Sequence, residues 1–260
     1  MDLGIKGKNA IICASSRGLG KACALSLALN GVNVILNGRD EKVLTNTKNE
    51  ISELAPDVKV EAVSCDVSTS EGRDKIMGAC PSPDILVNNN GGPPFRDFRE
   101  LDRDAIIEGV DMNMITPIEL VKSVIDGMIE KNFGRIVNIT SVSVKRPVVG
   151  LDLSSGARAG LTAFLSGVSR SIADKNITIN NILPGFFDTD RLRQGVTSMA
   201  KMSSESENIV ADRMANSIPA KRFGTPYEFG ETCAYLCSIQ AGYITGQNIL
   251  LDGGLFDSSF

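Results

Sequence analysis

A glycine-rich turn follows the first apolar run of the chain. Ile11-Ile12-Cys13 leads into Ala14-Ser15-Ser16-Arg17-Gly18-Leu19-Gly20, and a helical pattern begins there. A strand, a glycine turn and a helix N-terminus form a phosphate site, because backbone N–H groups can approach a pyrophosphate and the helix dipole favours its charge. The alternative is a tight turn that binds no ligand. The motif assigns cofactor contacts to Ala14, Ser16, Arg17, Gly18, Leu19 and Gly20.

A second candidate contact to the cofactor follows the second strand, at Asn37-Gly38-Arg39. An NAD site usually carries an acidic residue here, which accepts a hydrogen bond from the ribose 2′-hydroxyl. Asn37 is neutral, whereas Arg39 and Arg17 are cations that can pair with a 2′-phosphate. The sequence therefore predicts a preference for NADP (NADPH) over NAD. The alternative for either arginine is a solvated surface charge.

The elements that must position these residues are short β-branched runs alternating with longer amphipathic segments. Residues 177–179 and 249–251 are mostly apolar, as expected for strands covered on both faces. The predicted strands are 9–13, 32–37, 58–64, 85–88, 135–140, 178–183 and 248–251, and the predicted helices are 18–30, 41–54, 70–79, 102–131, 154–175 and 226–238. This repeated βαβ order predicts one α/β domain over residues 1–260, a doubly wound parallel sheet of the Rossmann type.

Residues 188–217 interrupt the alternation of strands and helices. The segment is polar and contains methionines. One interpretation is a mobile lid that covers the substrate, and the other is a plain surface insertion.

Composition narrows the possible chemistry. The chain of 260 residues has no histidine, which excludes histidine acid–base catalysis and Ser-His-Asp triads and disfavours a catalytic zinc site. Its six cysteines show no metal-ligand spacing, and Cys233 and Cys237 are interpreted as small buried residues of a helix. We therefore expect no metal site and a reduced protein.

Charge and hydropathy bear on partners and location. The net charge of −4 argues against nucleic-acid binding. No apolar run approaches the ~20 residues of a membrane span, and the first residues lack the apolar core of a signal peptide. A cytoplasmic protein that binds neither membrane nor nucleic acid is the expectation.

With these motifs in place, the chain resembles the short-chain dehydrogenase/reductase family over essentially its full length, and most of all the 3-oxoacyl-acyl-carrier-protein reductases. The further segments that carry the resemblance are Cys65-Asp66-Val67, Asn88-Asn89-Asn90-Gly91, Pro184-Gly185 through Thr189, Tyr243-Ile244-Thr245-Gly246-Gln247 and Asp252-Gly253-Gly254. In the family, the first touches the adenine ring, the second supports the central sheet and the third lies beside the nicotinamide. The resemblance assigns cofactor contacts to Asp66, Val67, Asn89, Gly91, Pro184, Gly185 and Thr189.

The catalytic positions of the family are only partly matched. Asn113 and Ser141 fall at the Asn and Ser of its catalytic tetrad. Residues 159–161, Ala-Gly-Leu, match the run after the catalytic lysine, and counting back puts Arg158 at the Lys and Ser154 at the Tyr. Ser141 and Ser154 are 13 residues apart, the common spacing of the family. The three tyrosines all lie far downstream and cannot replace the missing phenol by a local shift.

These substitutions change the proton chemistry. The alcohol of Ser154 is much less acidic than a phenol, whose pKa is about 10. Arg158 has an ordinary pKa above ~12, so it can hold a ribose or stabilise an alkoxide but does not readily give up a proton. A water molecule or Lys145, in the loop after Ser141, would then supply the proton. Ser154 has a second interpretation, as the N-cap of the helix that follows, and Lys145 has one as an exposed surface lysine.

Three functions fit this pattern. The first is a reductase in which Ser141 and Ser154 orient a carbonyl and Arg158 stabilises the negative charge. The second is an NADP-binding protein without turnover, with a sensing or structural role. The third is a redox-neutral isomerase or lyase that uses the same pocket. We favour the first, because the pocket substitutes polar groups for the missing ones instead of filling with apolar side chains.

Substrate and assembly are indicated less directly. The predicted pocket rim includes residues 92–95, 148–151 and 186–187 and part of 188–217; these are mostly apolar, which suits a small or acyl-chain carbonyl substrate. Lys145 and Arg146 are candidates for contact with an acidic carrier protein. The resemblance implies a homotetramer or homodimer that pairs the helices near 102–131 and 154–175 and the end near 243–260.

Overall fold

The structure, a computed structural model, describes residues 1–92 and 95–258, and the strands of this part of the chain form one parallel sheet. They are β1 (Asn9–Ile12), β2 (Asn33–Gly38), β3 (Val60–Ser64), β4 (Ile85–Asn88), β5 (Gly134–Ile139), β6 (Ile177–Pro184) and β7 (Asn248–Leu251). Their order across the sheet is β3-β2-β1-β4-β5-β6-β7. The predicted strands and the doubly wound α/β fold are confirmed, with ends that differ from prediction by at most two residues.

Helices cover both faces of the sheet. They are α1 (Gly18–Leu29), α2 (Glu41–Leu54), α3 (Ser70–Ala79), α4 (Arg103–Val110), α5 (Thr116–Lys131), α6 (Asp152–Ile172), α7 (Asp190–Ser203), α8 (Glu207–Ser217) and α9 (Pro226–Leu236). Ile12 belongs to a core cluster with Leu27 of α1 and Phe229 of α9, whereas its neighbour Ile11 belongs to a second cluster with Leu120 of α5. Successive residues of a strand therefore pack against helices on opposite faces of the sheet. Within the described residues, no helix is long and apolar enough to span a membrane.

The helix predicted over 102–131 is present, and its backbone stays helical from Arg103 to Lys131, but its hydrogen-bond pattern changes in the middle. It divides into α4 and α5, joined by a π-helical turn at Asp111–Ile115. Pro117, near the start of α5, has no N–H group, so it cannot form the α-helical hydrogen bond to the carbonyl of Asn113. The ladder of hydrogen bonds shifts at this point, and Asn113 lies in the shifted turn.

The helix predicted over 154–175 begins two residues earlier, at Asp152, and its N-cap residue is Leu151. The interpretation of Ser154 as the N-cap is therefore wrong. Residues 188–217, which interrupt the strand–helix alternation, form the helices α7 and α8. A small apolar cluster of Val196, Ala200 and Val210 packs these two helices together.

A ladder of asparagine side chains crosses half of the sheet. Nδ2 of Asn88 donates to Oδ1 of Asn138 at 2.9 Å, Asn138 donates to Asn181 at 2.9 Å, and Asn181 donates to Asn248 at 2.8 Å. The four residues are register partners on β4, β5, β6 and β7. Asn138 and Asn181 each both accept and donate along the ladder, so these buried amides are paired where a parallel sheet is usually apolar, whereas the buried Oδ1 of Asn88 has no partner among the described residues.

Five of the six cysteines are buried, and Cys65 is half-buried. Cys233 of α9 and Cys237, the residue that caps its C-terminus, are fully buried, as predicted, and neither forms a disulfide. Burial is a common state of unoxidised cysteine, which behaves as a small apolar side chain. Among residues 1–92 and 95–258, no group of three or more metal-ligating side chains is close enough to hold an ion.

Candidate active site

The N-terminus of α1 is open to a ligand. Its N-cap, Arg17, makes no side-chain capping bond, and no acidic residue lies in the first turn. By contrast, α2, α3 and α7 are capped by the side chains of Asp40, Thr69 and Thr189. The first N–H groups of a helix have no partner within it, so those of α1 keep the capacity to bind an anion.

Two glycines shape the turn before α1. Gly18 has a φ of +58°, a conformation in which a side chain is strained. A Cβ on Gly20 would lie 2.4 Å from the carbonyl oxygen of Ala14 and 2.8 Å from Nδ2 of Asn89. Leu19, between them, packs against the core. Side chains at either glycine would distort the turn that admits a pyrophosphate, so the residues present fit a dinucleotide.

Two asparagines hold this turn from within the protein. Oδ1 of Asn37 accepts a hydrogen bond from the N–H of Ala14 at 3.2 Å, and its Nδ2 donates to the carbonyls of Val63 and Cys65 at 3.3 and 3.1 Å. Nδ2 of Asn89 donates to the carbonyl of Ala14 at 3.2 Å. Ala14 has a φ of +45°, which these bonds maintain. Asn37 is buried, so it can support a cofactor site but does not present its side chain to one.

The residues expected around the 2′-phosphate lie together at the edge of the turn. A Cβ on Gly38 would lie 3.1 Å from Oγ of Ser16, so these two residues are in close contact. Arg17 and Arg39 directly follow them in sequence, and both arginines are exposed. The Nη1 atom of Arg39 lies 3.7 Å from Oδ2 of Asp66. Two guanidinium groups thus border one surface, where a phosphate would find positive charge.

Asp66 lies where β3 leads into α3. Its Oδ1 accepts hydrogen bonds from the backbone N–H and the hydroxyl of Ser68 at 3.0 and 2.7 Å. Burial opposes ionisation of Asp66, but the bonds from Ser68 and the charge of Arg39 outweigh it, and they hold the pKa of the carboxyl below its usual value. Val67 is buried in the core. Asp66 is therefore a carboxylate at neutral pH, able to accept further hydrogen bonds.

Arg158 is the centre of the region to which the resemblance assigns catalysis. Its guanidinium is buried and binds three elements: Nε donates to Oγ of Ser154 at 3.2 Å, Nη1 to the carbonyl of Ile139 at 2.8 Å, and Nη2 to the carbonyl of Asn90 at 3.2 Å. The first partner lies on α6, one turn before Arg158 itself, and the others lie at the ends of β5 and β4. Ser154 and Arg158 are thus brought together, as the resemblance implies.

The charge of Arg158 has no counter-ion in the described part of the chain, because no carboxylate lies within ion-pair distance. Burial, and to a smaller extent the positive charge of Arg191, lowers the pKa of the guanidinium from its ordinary value to about 10. A group with that pKa is still protonated at neutral pH. The pocket therefore contains a fixed cation in a desolvated position.

Asn90 connects the π-helical turn to this cation, and Asn113 lies in that turn. Nδ2 of Asn113 donates to the carbonyl of Gly109 at 3.3 Å, while its buried Oδ1 has no hydrogen-bond partner among the described residues. Nδ2 of Asn90 donates to the carbonyl of Met112 at 2.7 Å. Asn90 therefore binds the π-helical turn through its side chain and Arg158 through its carbonyl. Gly91, next to it, is exposed, with open space on its Cβ side.

Ser141 and Lys145 follow β5 but differ in their surroundings. Oγ of Ser141 accepts a hydrogen bond from the N–H of Ser143 at 3.1 Å. Lys145 is exposed, and its Nζ lies 5.6 Å from the ring centre of Phe256, in the C-terminal segment. The structure gives Lys145 no hydrogen bond to Ser154 or Arg158 among the described residues. It does not bring this proposed proton source into the cluster.

The loop after β6 returns to the glycine turn. The Cβ position of Gly185 would lie 2.8 Å from Cα of Asp252, so the chain passes close to the end of β7 here. Pro184 ends β6. Thr189 approaches the turn at Gly18, with 3.9 Å between its Cγ2 and the Cβ position of that glycine. The loop after β6 and the glycine turn, which form the two halves of the expected cofactor site, therefore face each other.

Sequence reasoning missed Arg191, the second residue of α7. Its Nη2 donates to the carbonyl of Gly92 at 3.4 Å, a long hydrogen bond. Arg191 lies near Arg158, because Arg158 binds the carbonyl of Asn90, two residues before Gly92. In the sequence, the only indication of a role for Arg191 was its place as a charged residue in the first turn of the predicted lid. Pro93 and Pro94, expected at the pocket rim, and Ser259 and Phe260, expected at a subunit contact, lie outside the described residues.

Comparison with known proteins gives matches over nearly the whole chain. A protein-family model described as Enoyl-(Acyl carrier protein) reductase matches residues 13–256. The NADPH-dependent reductase BacG of Bacillus subtilis is 31% identical over 255 residues, covering 96% of this chain and 98% of that protein. The 3-oxoacyl-[acyl-carrier-protein] reductase FabG of Aquifex aeolicus is 31% identical over 260 residues, covering 98% and 100%.

A solved structure also matches over nearly the whole chain. L-sorbose reductase from Gluconobacter frateurii, complexed with NADPH and L-sorbose, superimposes with a TM-score of 0.94 at 27% sequence identity. The match covers 99% of this chain and 100% of that one. The similarity therefore includes the sheet, the glycine turn and the helices that surround the Arg158 cluster.

Proposed function

The chain belongs to the short-chain dehydrogenase/reductase family, and we propose that it reduces the carbonyl group of a small, 3-oxoacyl-like substrate with NADPH as the hydride donor. It is an NADP-dependent oxidoreductase. The observation that carries the proposal for the site is the buried cation of Arg158 beside an open glycine turn. Together they offer a dinucleotide site and a group that stabilises negative charge.

We assign the pyrophosphate to the N-terminus of α1 at Gly18 and Gly20, and the 2′-phosphate to Arg17 and Arg39. When bound, NADPH supplies the hydride that reduces the carbonyl carbon. The remaining assigned contacts, from the adenine end to the nicotinamide end, are Ala14, Ser16, Leu19, Asn37, Asp66, Val67, Asn89, Gly91, Pro184, Gly185 and Thr189. For Asn37 and Asn89 the contact is indirect, because their side chains fix the backbone of Ala14.

Arg158 stabilises the negative charge that develops on the substrate oxygen. Hydrogen bonds to three elements fix its guanidinium, so little reorganisation is needed as the charge appears. A preorganised donor of this kind contributes about 2.7–4 kcal/mol to the transition state. Ser154, bound to Nε of Arg158, and Ser141 orient the carbonyl, while Asn113 supports the pocket wall.

Water supplies the proton in this proposal. The alcohol of Ser154 is too weak an acid, and Arg158 remains protonated at neutral pH. Lys145, the other proton source that we considered, lies against Phe256. An alkoxide formed beside Arg158 is a strong enough base to take a proton from solvent once it has formed.

The proposal also covers the domain organisation, the lid, the assembly and the location of the protein. Residues 1–260 form one domain, and α7 and α8, within residues 188–217, act as a lid over the substrate. The protein works as a homotetramer or homodimer in the cytoplasm. The pairing uses the faces near α4, α5 and α6, where large apolar side chains such as Ile106, Ile107 and Phe164 are exposed.

The experiment that tests the reductase proposal follows NADPH absorbance with β-ketoacyl thioesters, ketones, oxo acids and aldehydes. Arg158→Met should lower kcat by about 10²–10³-fold, because it removes one preorganised donor, and it should retain NADPH affinity. Arg170→Met is the matched control. It removes an arginine from the exposed side of the same helix and should leave kcat unchanged.

Three outcomes would contradict the proposal. Unchanged turnover in Arg158→Met would remove Arg158 from the mechanism. Tight NADPH binding without oxidation across the panel would indicate a cofactor-binding protein without turnover. Conversion of substrate without net NADPH oxidation would indicate the redox-neutral use of the pocket.

A further inference from the structure

The proposed catalytic site contains two arginines, Arg158 and Arg191, whereas the carbonyl reduction proposed above uses the charge of Arg158 alone. Arg158 uses three N–H groups in bonds to the protein, one from each nitrogen. A guanidinium has five such groups, so each terminal nitrogen keeps one N–H outside these bonds. A buried arginine with neither an ionic partner nor a full set of acceptors is rare, because the loss of hydration is not offset.

The second buried arginine is bound more completely. Arg135 uses four of its five N–H groups, which donate to the carbonyls of Ser238, Gly134 and Asn176 and to Oδ1 of Asn176, at 2.8 to 3.2 Å. Its guanidinium also stacks 4.4 Å from the ring centre of Phe133. Arg158 has one hydrogen bond fewer and no aromatic ring against it among the described residues.

Arg191 brings a second cation to the same pocket. It contacts the protein through the 3.4 Å bond to Gly92, and no carboxylate of the described residues pairs with it. Arg193, two residues further along α7, is neutralised by Asp188 through bonds of 2.8 and 3.0 Å. The charge of Arg191 also reaches Arg158, whose pKa it lowers. The exposed Arg191 and the buried Arg158 thus bind carbonyls only two residues apart, those of Gly92 and Asn90, and no carboxylate of the described residues pairs with either.

We infer that the substrate is an oxo acid, whose free carboxylate binds Arg191 while its carbonyl oxygen faces Arg158. A planar guanidinium binds a carboxylate through two parallel hydrogen bonds, and the anion would offset the repulsion between the two arginines. This inference rests on the reductase function proposed above. In the reaction, the C=O π bond breaks as a C–H bond forms with the hydride, the oxygen takes a proton from water, and NADPH is oxidised to NADP⁺.

The carboxylate distinguishes this substrate class from a neutral ketone or thioester of the same size. Acetoacetate and 2-oxobutanoate, each compared with its methyl ester, isolate the charge, because each pair shares one carbon skeleton and one ketone. We expect kcat/KM with wild-type protein to be at least about tenfold higher for an acid than for its ester, since a hydrogen bond to a charged group contributes about 1.5–3 kcal/mol.

The variant that tests the site is Arg191→Met. It should lower kcat/KM for the preferred acid by about 10- to 100-fold and leave the ester unchanged. Lys201→Met is the matched control. It removes one positive charge from the same helix, about 15 Å further along at the rise of an α-helix, and should leave both values unchanged.

Calorimetric titration of the acids into the protein–NADP⁺ complex separates this inference from the reductase proposal. Binding of an acid that Arg191→Met weakens, with no NADPH oxidation, would support the carboxylate site and overturn the reductase function. Failure of both acids to bind at millimolar concentration, binding of ester and acid with equal affinity, or an equal effect of Arg191→Met on both would overturn the inference.

Discussion

At the residue scale, an arginine and a lysine would not be equivalent at position 158. The planar guanidinium reaches Ser154, Ile139 and Asn90 in three directions at once. An ammonium is a compact charge on a flexible stem, and it would not hold the same three partners in one plane. Arg158 therefore both carries the charge of the pocket and joins α6 to the ends of β4 and β5.

Arg39 offers a test of cofactor selectivity at the same scale. It is 79% exposed, and its weak pairing with Asp66 leaves its guanidinium available for a phosphate. We expect Arg39→Ala to weaken NADPH binding by about 10- to 100-fold, the worth of a hydrogen bond to a charged group, and to leave NADH binding unchanged. Titration of both cofactors by calorimetry measures this, with Arg170→Ala as the control. Equal NADPH affinity in the variant would make Arg39 a solvated surface charge.

At the element scale, the turn before α1 depends on how closely the helix approaches the strand. Gly20 has no room for a side chain, because the atom it would meet is the backbone carbonyl of Ala14, which cannot move aside as a flexible side chain would. Gly195, inside α7, is also helical but has open space around its Cβ position. The two glycines therefore occur in helices for different reasons.

Alanine substitution should separate these two cases. Gly20→Ala should lower the thermal unfolding midpoint and weaken NADPH binding, since α1 must move away from the turn. Gly195→Ala should raise the midpoint slightly, because alanine is favoured over glycine inside a helix by about 0.5–1 kcal/mol. Differential scanning calorimetry and NADPH titration give both readouts. A Gly20→Ala variant that binds NADPH as tightly as the parent would show that the close approach is not needed.

At the scale of the whole molecule, the asparagine ladder joins strands that are far apart in sequence. Asn138 is its central member, and it both accepts from Asn88 and donates to Asn181. Replacing it would leave Oδ1 of Asn181 without its ladder bond and Nδ2 of Asn88 with only the 3.4 Å bond to the carbonyl of Pro117. Asn248, by contrast, is an exposed end of the ladder with one ladder bond. The ladder thus predicts that the same substitution lowers the free energy of unfolding more at Asn138 than at Asn248.

We expect Asn138→Leu to lower the free energy of unfolding by about 2–6 kcal/mol, at about 1–3 kcal/mol for each buried group that loses its partner. Asn248→Leu should lower the free energy of unfolding by about 1 kcal/mol or less. Thermal unfolding at one protein concentration measures both, because assembly would otherwise shift the midpoint. Similar midpoints for the two variants would show that the ladder does not stabilise the sheet.

The amino-acid sequence alone was enough to predict the doubly wound sheet, the strand positions and the glycine turn. These follow from local apolar periodicity and turn residues, which act over a few neighbouring positions. The sequence also predicted that Ser154 and Arg158 lie together, since residues four apart on a helix share a face. The contact of Ser16 with Gly38, the residues before Arg17 and Arg39, followed as well, because the ends of parallel strands meet at one edge of the sheet.

Other features of the site depend on the folded chain as a whole. The π-helical turn at Asp111–Ile115, the burial of the Asn37 side chain and the separation of Lys145 from Arg158 depend on packing between distant segments. The approach of Arg191 to Gly92 joins residues that are 99 positions apart. Long-range contacts of this kind leave no periodic signal in the chain, because no local preference of either residue requires the other.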